Sequence, residues 1–278
     1  MAHDRFQSAG GLRLHYIDYG GESNPPLVCI HGLTRNAHDF DALAPHLVSR
    51  YHVLAIDVRG RGDSEWGPPL DYNATVYVSD LVAFLDGLKM PRATLIGTSM
   101  GGIIAMMFAG GYPERAERVV MNDIGPDIDP QGLGRIMAAL TEAPNRFTSF
   151  AEVAAYYRAS YPPAAVMPEG ALIEWVKTSV KPVDGGFTWK MDPAIRNPPR
   201  TGPAARPVDL WLPFTRIIAP IMVVRGGDSD VLSLETADRM LKVNRGTTMV
   251  EVPGVGHAPS LVEPESLSAL RRFLGVAG

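Results

Sequence analysis

Two rhythms of apolar residues run through the first half of this chain. Leu12–Asp18 alternates apolar and polar positions, the period of an edge strand. Leu27–Ile30, His52–Ile56, Ala93–Ile96 and Val119–Asn122 are instead short, continuous apolar runs. Between them, Asp41–Val48, Ala74–Leu88 and Gly101–Ala109 carry apolar residues at helical spacing; Val78, Leu81, Val82 and Leu85 mark the middle one. Continuous apolar strands separated by helices predict an α/β fold with a mostly parallel sheet covered on both faces.

After Gly125 the texture changes. Helical spacing dominates through Leu133–Leu140, Phe150–Tyr161 and Ala171–Val180, and Asp192–Pro207 reads as an irregular connection rich in Pro and Arg. Ile217–Val224 and Thr248–Val252 then resume the buried-strand pattern, and Leu267–Phe273 closes the chain as a helix. The expectation is one core domain, residues 1–124 and 214–278, interrupted by a helical insertion over residues 125–213. No internal repeat or heptad array is visible.

Composition narrows the class. Of 278 residues, 46% are hydrophobic and 20% charged, as in an ordinary globular protein rather than a disordered one. Lys and Arg number 26 against 30 Asp and Glu, a formal charge of −4. That balance excludes a protein whose main work is gripping nucleic acid. The single cysteine, Cys29, cannot form an internal disulfide and sits in an apolar run as a small buried hydrophobe. Residues 1–10 hold His3, Asp4 and Arg5 and no signal-peptide core, and no run approaches membrane-span length. The expectation is a cytoplasmic protein acting on a small molecule without a membrane partner. Monomer and homodimer both stay open.

The sharpest chemical signal is Leu95-Ile96-Gly97-Thr98-Ser99-Met100-Gly101-Gly102. A strand runs into Gly-x-Ser-x-Gly and a helix leaves it, the context of a nucleophile elbow. The plainer alternative is a Gly-rich turn with an N-capping Ser; the flanking strand and helix favour the elbow. Of the histidines, only His257 sits in a late Gly-rich loop after a strand, Gly254-Val-Gly-His257. No His, Cys and carboxylate cluster has metal-ligand spacing. No G-x-G-x-x-G follows a strand, and Gly60-Arg61-Gly62 reads as a surface loop rather than a phosphate cradle. No metal and no cofactor is expected.

With these motifs the chain resembles the α/β-hydrolase superfamily. Ile30-His31-Gly32-Leu33 is similar to its oxyanion loop, and Asp57-Val-Arg-Gly-Arg-Gly-Asp-Ser64 to its D-x-R-G-x-G-x-S loop. Gly226–Asp230 and Gly254–His257 follow the late strands as its acid and histidine loops do. The resemblance spans about residues 12 to 275 and is weakest in the insertion, where the family carries its cap.

The resemblance implies roles. Ser99 would be the nucleophile and His257 its general base and acid. The backbone N–H groups of Leu33 and Met100 would form the oxyanion hole. The orienting acid is ambiguous: Asp230 has the family's usual position and is favoured, Asp123 ends the preceding strand and is the alternative, and Asp228 stands behind both. Arg35, two residues after Leu33, would reach a substrate carboxylate; its alternative is an ion-paired Arg at a helix start. Apolar residues of the insertion (Met137, Phe147, Tyr157, Trp175, Phe187, Trp189, Trp211) would line a pocket or simply form its core.

A Ser nucleophile departs from the dehalogenases and epoxide hydrolases of the superfamily, which use a carboxylate. The His31 loop also lacks the HGGG run of the large lipase group. The resulting expectation is a serine hydrolase of a small carboxylic ester or lactone, working through an acyl-enzyme. Rivals are an amide, enamide or C–C bond hydrolase, an acyltransferase, and a ligand receptor on a hydrolase fold. For the enamide rival, Asp123 together with Pro182–Phe187 is similar to hydrolases of enamide succinates from vitamin B6 breakdown.

Overall fold

The computed structural model describes residues 2–196 and 209–277. Ten strands are present among them: β1 (His3–Ala9), β2 (Leu12–Asp18), β3 (Pro26–Ile30), β4 (His52–Ile56), β5 (Ala93–Thr98), β6 (Ala116–Asn122), β7 (Val180–Val183), β8 (Gly186–Trp189), β9 (Ile221–Gly226) and β10 (Thr247–Val252). Eight of them form one sheet in the order β1-β2-β4-β3-β5-β6-β9-β10. Pairing is antiparallel from β1 to β4 and parallel from β4 to β10.

The continuous apolar strands have a simple cause. Val28 and Ile30 of β3 point into one core while Leu27 and Cys29 point into the other. The same split separates Leu54 from Val53, Leu95 from Ile96, Val119 from Val120 and Val223 from Val224. The first core is closed by α1 (Ala74–Gly87), α2 (Met100–Gly111), the short α7 (Trp211–Thr215) and α8 (Leu234–Val243). The second is closed by the turns after β3 and by α9 (Pro264–Leu274). A strand buried on both faces has no polar position to spare, so polar chemistry collects where the strands end.

Some local expectations need correction. Leu12–Asp18 is not the edge; β1 lies outside it, joined by the turn Gly10-Gly11 with φ of 57° and 77°. Two consecutive positive φ values are what a tight hairpin turn needs, so Gly-Gly was its signal. Asp41–Val48 forms only a three-residue 3₁₀ turn, Ala44–His46, because Pro45 lacks the N–H that a longer helix requires. The loop 57–64 is not at the surface: Arg59 and Arg61 are buried. Cys29 is buried, as its apolar run implied, and burial pushes its thiol pKa up.

Between β6 and β9 the chain forms α3 (Pro130–Glu142), α4 (Phe150–Ser160), α5 (Pro162–Ala165) and α6 (Glu169–Lys177). It also forms the β7–β8 hairpin, an element the helical spacing did not predict. These pack on their own apolar cluster, which includes Phe147, Val153, Tyr157, Leu172, Val176 and Trp189. The expected irregular stretch Asp192–Pro207 begins with a 3₁₀ turn at Pro193–Ile195; residues 197–207 of it lie outside the described residues.

Two buried polar knots tie the loop after β4 in place. Asp57 accepts from the N–H groups of Ala37 and Asp63 at 2.7 and 2.8 Å and pairs with His15 Nδ1 at 2.7 Å. His15, Asp57 and Asp63 therefore come within 4.8 Å of one another, a grouping the sequence did not reveal, with Asp57 already committed to the protein. Arg59 forks onto Asp80 of α1 through Nε and Nη2 at 2.5 and 2.6 Å.

Breaking that buried pair leaves a charge without its partner. Arg59→Ala should cost about 3–5 kcal/mol in urea unfolding. The double variant Arg59→Met/Asp80→Leu should recover most of it. A single variant as stable as wild type would show that the pair is not needed.

Candidate active site

The elbow is built from contacts that allow no side chain. A Cβ on Gly97 would strike the Gly101 carbonyl, and one on Gly101 would strike the Ile30 carbonyl. The chain between β5 and α2 can turn this tightly only with glycine at both places. Ser99 sits at the apex with φ 53° and ψ −115°, a conformation that costs a non-glycine residue about 1–3 kcal/mol. Its N–H donates to the Asn122 carbonyl at 3.0 Å, which fixes the apex against β6.

Three side chains line up from this apex. Ser99 Oγ lies 2.9 Å from His257 Nε2, and His257 Nδ1 lies 2.8 Å from Asp123 Oδ2. Asp123 is fully buried and His257 nearly so. The Asp123 carboxylate accepts two further hydrogen bonds, from Gly226 N–H at 2.8 Å and from Ser229 Oγ at 2.6 Å. A hydroxyl, an imidazole and a buried acceptor carboxylate in line form an arrangement that can remove a proton from serine and hold the resulting imidazolium.

The carboxylate on His257 is thus Asp123, and the favoured Asp230 is elsewhere. Asp230 accepts a fork from Arg135 of α3, with Nε at 2.5 Å and Nη2 at 2.7 Å. The Arg135 fork holds its carboxyl below the usual carboxylate range. The reason is the path of the loop after β9. Gly227 and Asp228 donate to the Val252 and Val255 carbonyls beside β10, and Ser229 folds back onto Gly226. That turn sends Ser229 inward to Asp123 and Asp230 outward to α3.

The loop after β3 runs beside Ser99. The position a Gly32 Cβ would take is 3.7 Å from Ser99 Cβ. Among the described residues, no backbone carbonyl accepts from the N–H of Leu33 or of Met100. His31 fixes this loop: its Nδ1 donates to the Gly32 carbonyl at 2.7 Å, and its Nε2 accepts from Val58 N–H at 3.0 Å. That pattern requires a neutral ring, in agreement with burial holding its pKa below the ordinary 6.5. Arg61 braces the same loop, donating to the Leu33 carbonyl at 3.2 Å, the Arg59 carbonyl at 3.0 Å and Tyr77 Oη at 2.8 Å. Its Nη2 lies 3.5 Å from Met100 Sδ.

Arg35 does not offer an open fork. Its Nε and Nη2 bind Asp39 at 2.9 and 2.6 Å, and Nη1 donates to Tyr157 Oη at 3.0 Å and Ser179 Oγ at 2.5 Å. The guanidinium lies 3.4 Å from the Trp175 ring centroid. Arg35 lines the pocket, but as a buried strut between the β3 loop and the insertion.

The pocket over Ser99 encloses about 90 Å³ and is walled by Leu33, Arg35, Ile136, Leu140, Tyr156, Tyr157, Tyr161 and His257, among others. Of the apolar residues singled out in the insertion, only Tyr157 lines it. Phe147 and Trp189 belong to the insertion's own core, and Trp211 packs on Phe214. Sequence reasoning missed Asp39, Arg135, Tyr161 and Ser229. Ser229 lay between the two weighed carboxylates, and nothing short of the loop's path distinguishes it.

The model of the alpha/beta hydrolase family matches residues 27–270. A 3-hydroxybutyrate-oligomer hydrolase of Cupriavidus necator is 38% identical, over 95% of this chain and 94% of its own. A 2-(acetamidomethylene)succinate hydrolase of Mesorhizobium japonicum is 28% identical, over 99% of this chain and 97% of its own. An alpha/beta hydrolase structure from Novosphingobium aromaticivorans superposes with a TM-score of 0.89 at 36% identity, with 99% of each chain covered. No helix among the described residues is long and apolar enough to cross a membrane.

Two measurements follow from this geometry. Because the His31 pKa is depressed, its stabilising contribution is complete above about pH 6.5 and is lost as pH falls below that toward its folded-state value. His31→Gln should therefore lose less stability than wild type between pH 6.5 and 5; equal acid slopes would assign the sensitivity to other groups. Arg35→Ala should speed limited proteolysis within residues 150–180 several-fold. Arg35→Lys should resemble it, since lysine cannot reproduce the fork.

Proposed function

The chain belongs to the alpha/beta hydrolase family, and on that premise we propose that it is a serine hydrolase cleaving a carboxylic ester through an acyl-enzyme. The observation that carries this reading is the unbroken hydrogen-bonded line Ser99–His257–Asp123 ending in a fully buried carboxylate. Ser99 Oγ attacks the ester carbonyl as His257 Nε2 takes its proton. The tetrahedral oxyanion is received by the N–H groups of Leu33 and Met100. His257 then returns the proton to the leaving alcohol, and the acyl-enzyme is released by water activated at the same nitrogen. Asp123 keeps Nδ1 protonated and stabilises the imidazolium.

For the substrate, the 38% identical 3-hydroxybutyrate-oligomer hydrolase supports an ester of a short hydroxy acid. The amide alternative has the support of the 28% identical succinate hydrolase, which also matches over nearly its whole length. The segment that walls the pocket is proposed to act as a cap over this site.

Side-by-side turnover of p-nitrophenyl butyrate tests the chemistry. Ser99→Ala should fall to background, and Asp123→Asn should lose on the order of 10⁴ in kcat. Asp230→Asn should stay near wild type. Equal activity in wild type and Ser99→Ala would remove Ser99 from the mechanism, and a large loss in Asp230→Asn would reassign the acid. Rapid turnover of an enamide succinate with negligible ester turnover would favour the amide reading.

A further inference from the structure

The pocket over Ser99 is small for any ester beyond a few heavy atoms. Its volume of about 90 Å³ lies well below the roughly 300–1,000 Å³ that a whole small-molecule ligand fills. A second hollow of about 790 Å³ opens between α3 and α4. Arg135, Ala139, Tyr156 and Ser160 stand in the walls of both spaces. These four residues part the hollow from the catalytic pocket, and Tyr156 Oη, donating to the Ala139 carbonyl at 2.9 Å, crosses from α4 to α3 at that wall.

The lining fits one kind of occupant. Ala138 and Ala139 of α3 face Ala155 and Ala159 of α4, and these small side chains keep the hollow open. Phe147 and Tyr156 supply its apolar body. With Arg135 paired to Asp230, the lining sets Arg146 against Glu142 and Glu152 and offers no excess of positive charge to a polyanion. At the junction, Asp230 holds one edge of the Arg135 guanidinium, while Nη1 has only a 3.5 Å contact with the Ser160 carbonyl. That leaves Nη1 able to donate to a carbonyl or terminal carboxylate passing from hollow to pocket.

We propose that the α3–α4 hollow is a binding trough for the distal part of a linear aliphatic ester whose reacting carbonyl lies at Ser99. This rests on the ester-hydrolase reading and adds to it that the substrate is extended, an oligoester of a short hydroxy acid.

The test compares wild type with Ala155→Trp, an exposed position where a large ring fills the trough without entering the core. The substrates are p-nitrophenyl acetate and the linear dimer, trimer and tetramer of 3-hydroxybutyrate. Wild-type kcat/KM should rise with length, by about tenfold from dimer to tetramer, the order expected for burying a few more apolar groups. Ala155→Trp should abolish the rise and leave p-nitrophenyl acetate and dimer turnover within about twofold, as expected for a site outside the reacting geometry. Oligomer cleavage with no length dependence, or a length dependence that Ala155→Trp leaves intact, overturns the trough while sparing the esterase reading. Ser99-dependent turnover of p-nitrophenyl acetate with no oligomer cleavage overturns the oligoester substrate and the trough with it. A dimer in sedimentation that Ala155→Trp turns into a monomer, with an unchanged length profile, makes the face a self-association surface instead.

Discussion

The site depends on one close approach, that of Gly101 to the carbonyl of Ile30. It brings the start of α2 against the end of β3, so the loop that begins at His31 and the turn that carries Ser99 lie side by side. Everything polar at the sheet edge is then placed by register. β3 and β6 flank β5, so the loop of Leu33 comes from one side of Ser99 and Asp123 from the other. A substituent at Gly101 would separate these parts together. The strain at Ser99 is held by the same contact, because the apex cannot relax without moving α2 off β3.

The polar groups gathered there are costly to bury and are satisfied with little redundancy. Asp123 has its charge met by His257, Ser229 and the Gly226 amide. Arg61 is the opposite case: among the described residues no carboxylate lies within ion-pair distance of its buried guanidinium. Its donors go instead to two carbonyls and a tyrosine hydroxyl, with the Met100 sulfur alongside. Its cation is thus held by dipoles rather than by an ion pair, beside the loop of Leu33 and the start of α2.

Much of this was legible in the sequence, and the limits are physical. Strands buried on both faces announce themselves as apolar runs, so β3, β4, β5, β6 and β9 could be read directly. β1 could not, because His3–Ala9 is mostly exposed and is held by backbone pairing that carries no side-chain pattern. Ser99 and His257 were recoverable because a tight turn demands glycines at fixed spacing. Which carboxylate meets His257 was not, because Asp123 and Asp230 both follow strands that end at the same edge. The choice between them is made by Gly227 and Asp228 pairing along β10, a tertiary contact with no local signature. Arg35 was legible in part: its fork is taken by Asp39, four residues on, as the ion-paired alternative had it, but the partners of Nη1, Tyr157 and Ser179, lie 122 and 144 residues away.

Two arginines cross between the sheet and the segment above it, in opposite directions. Arg35 reaches up from the β3 loop and is buried among Asp39, Tyr157, Ser179 and Trp175. Arg135 reaches down from α3 to Asp230, and these side chains are 31% and 26% exposed. Parting the first would leave Arg35 with Asp39 on its own loop but break two buried hydrogen bonds to the insertion, whereas the second is already partly solvated and screened, so its loss costs less. The segment that walls the pocket is therefore held by buried bonds near α6 and by a partly solvated pair on the side of α3. The weaker tie is thus on the side where α3 faces α4. That is also the side on which the small pocket and the large hollow share a wall.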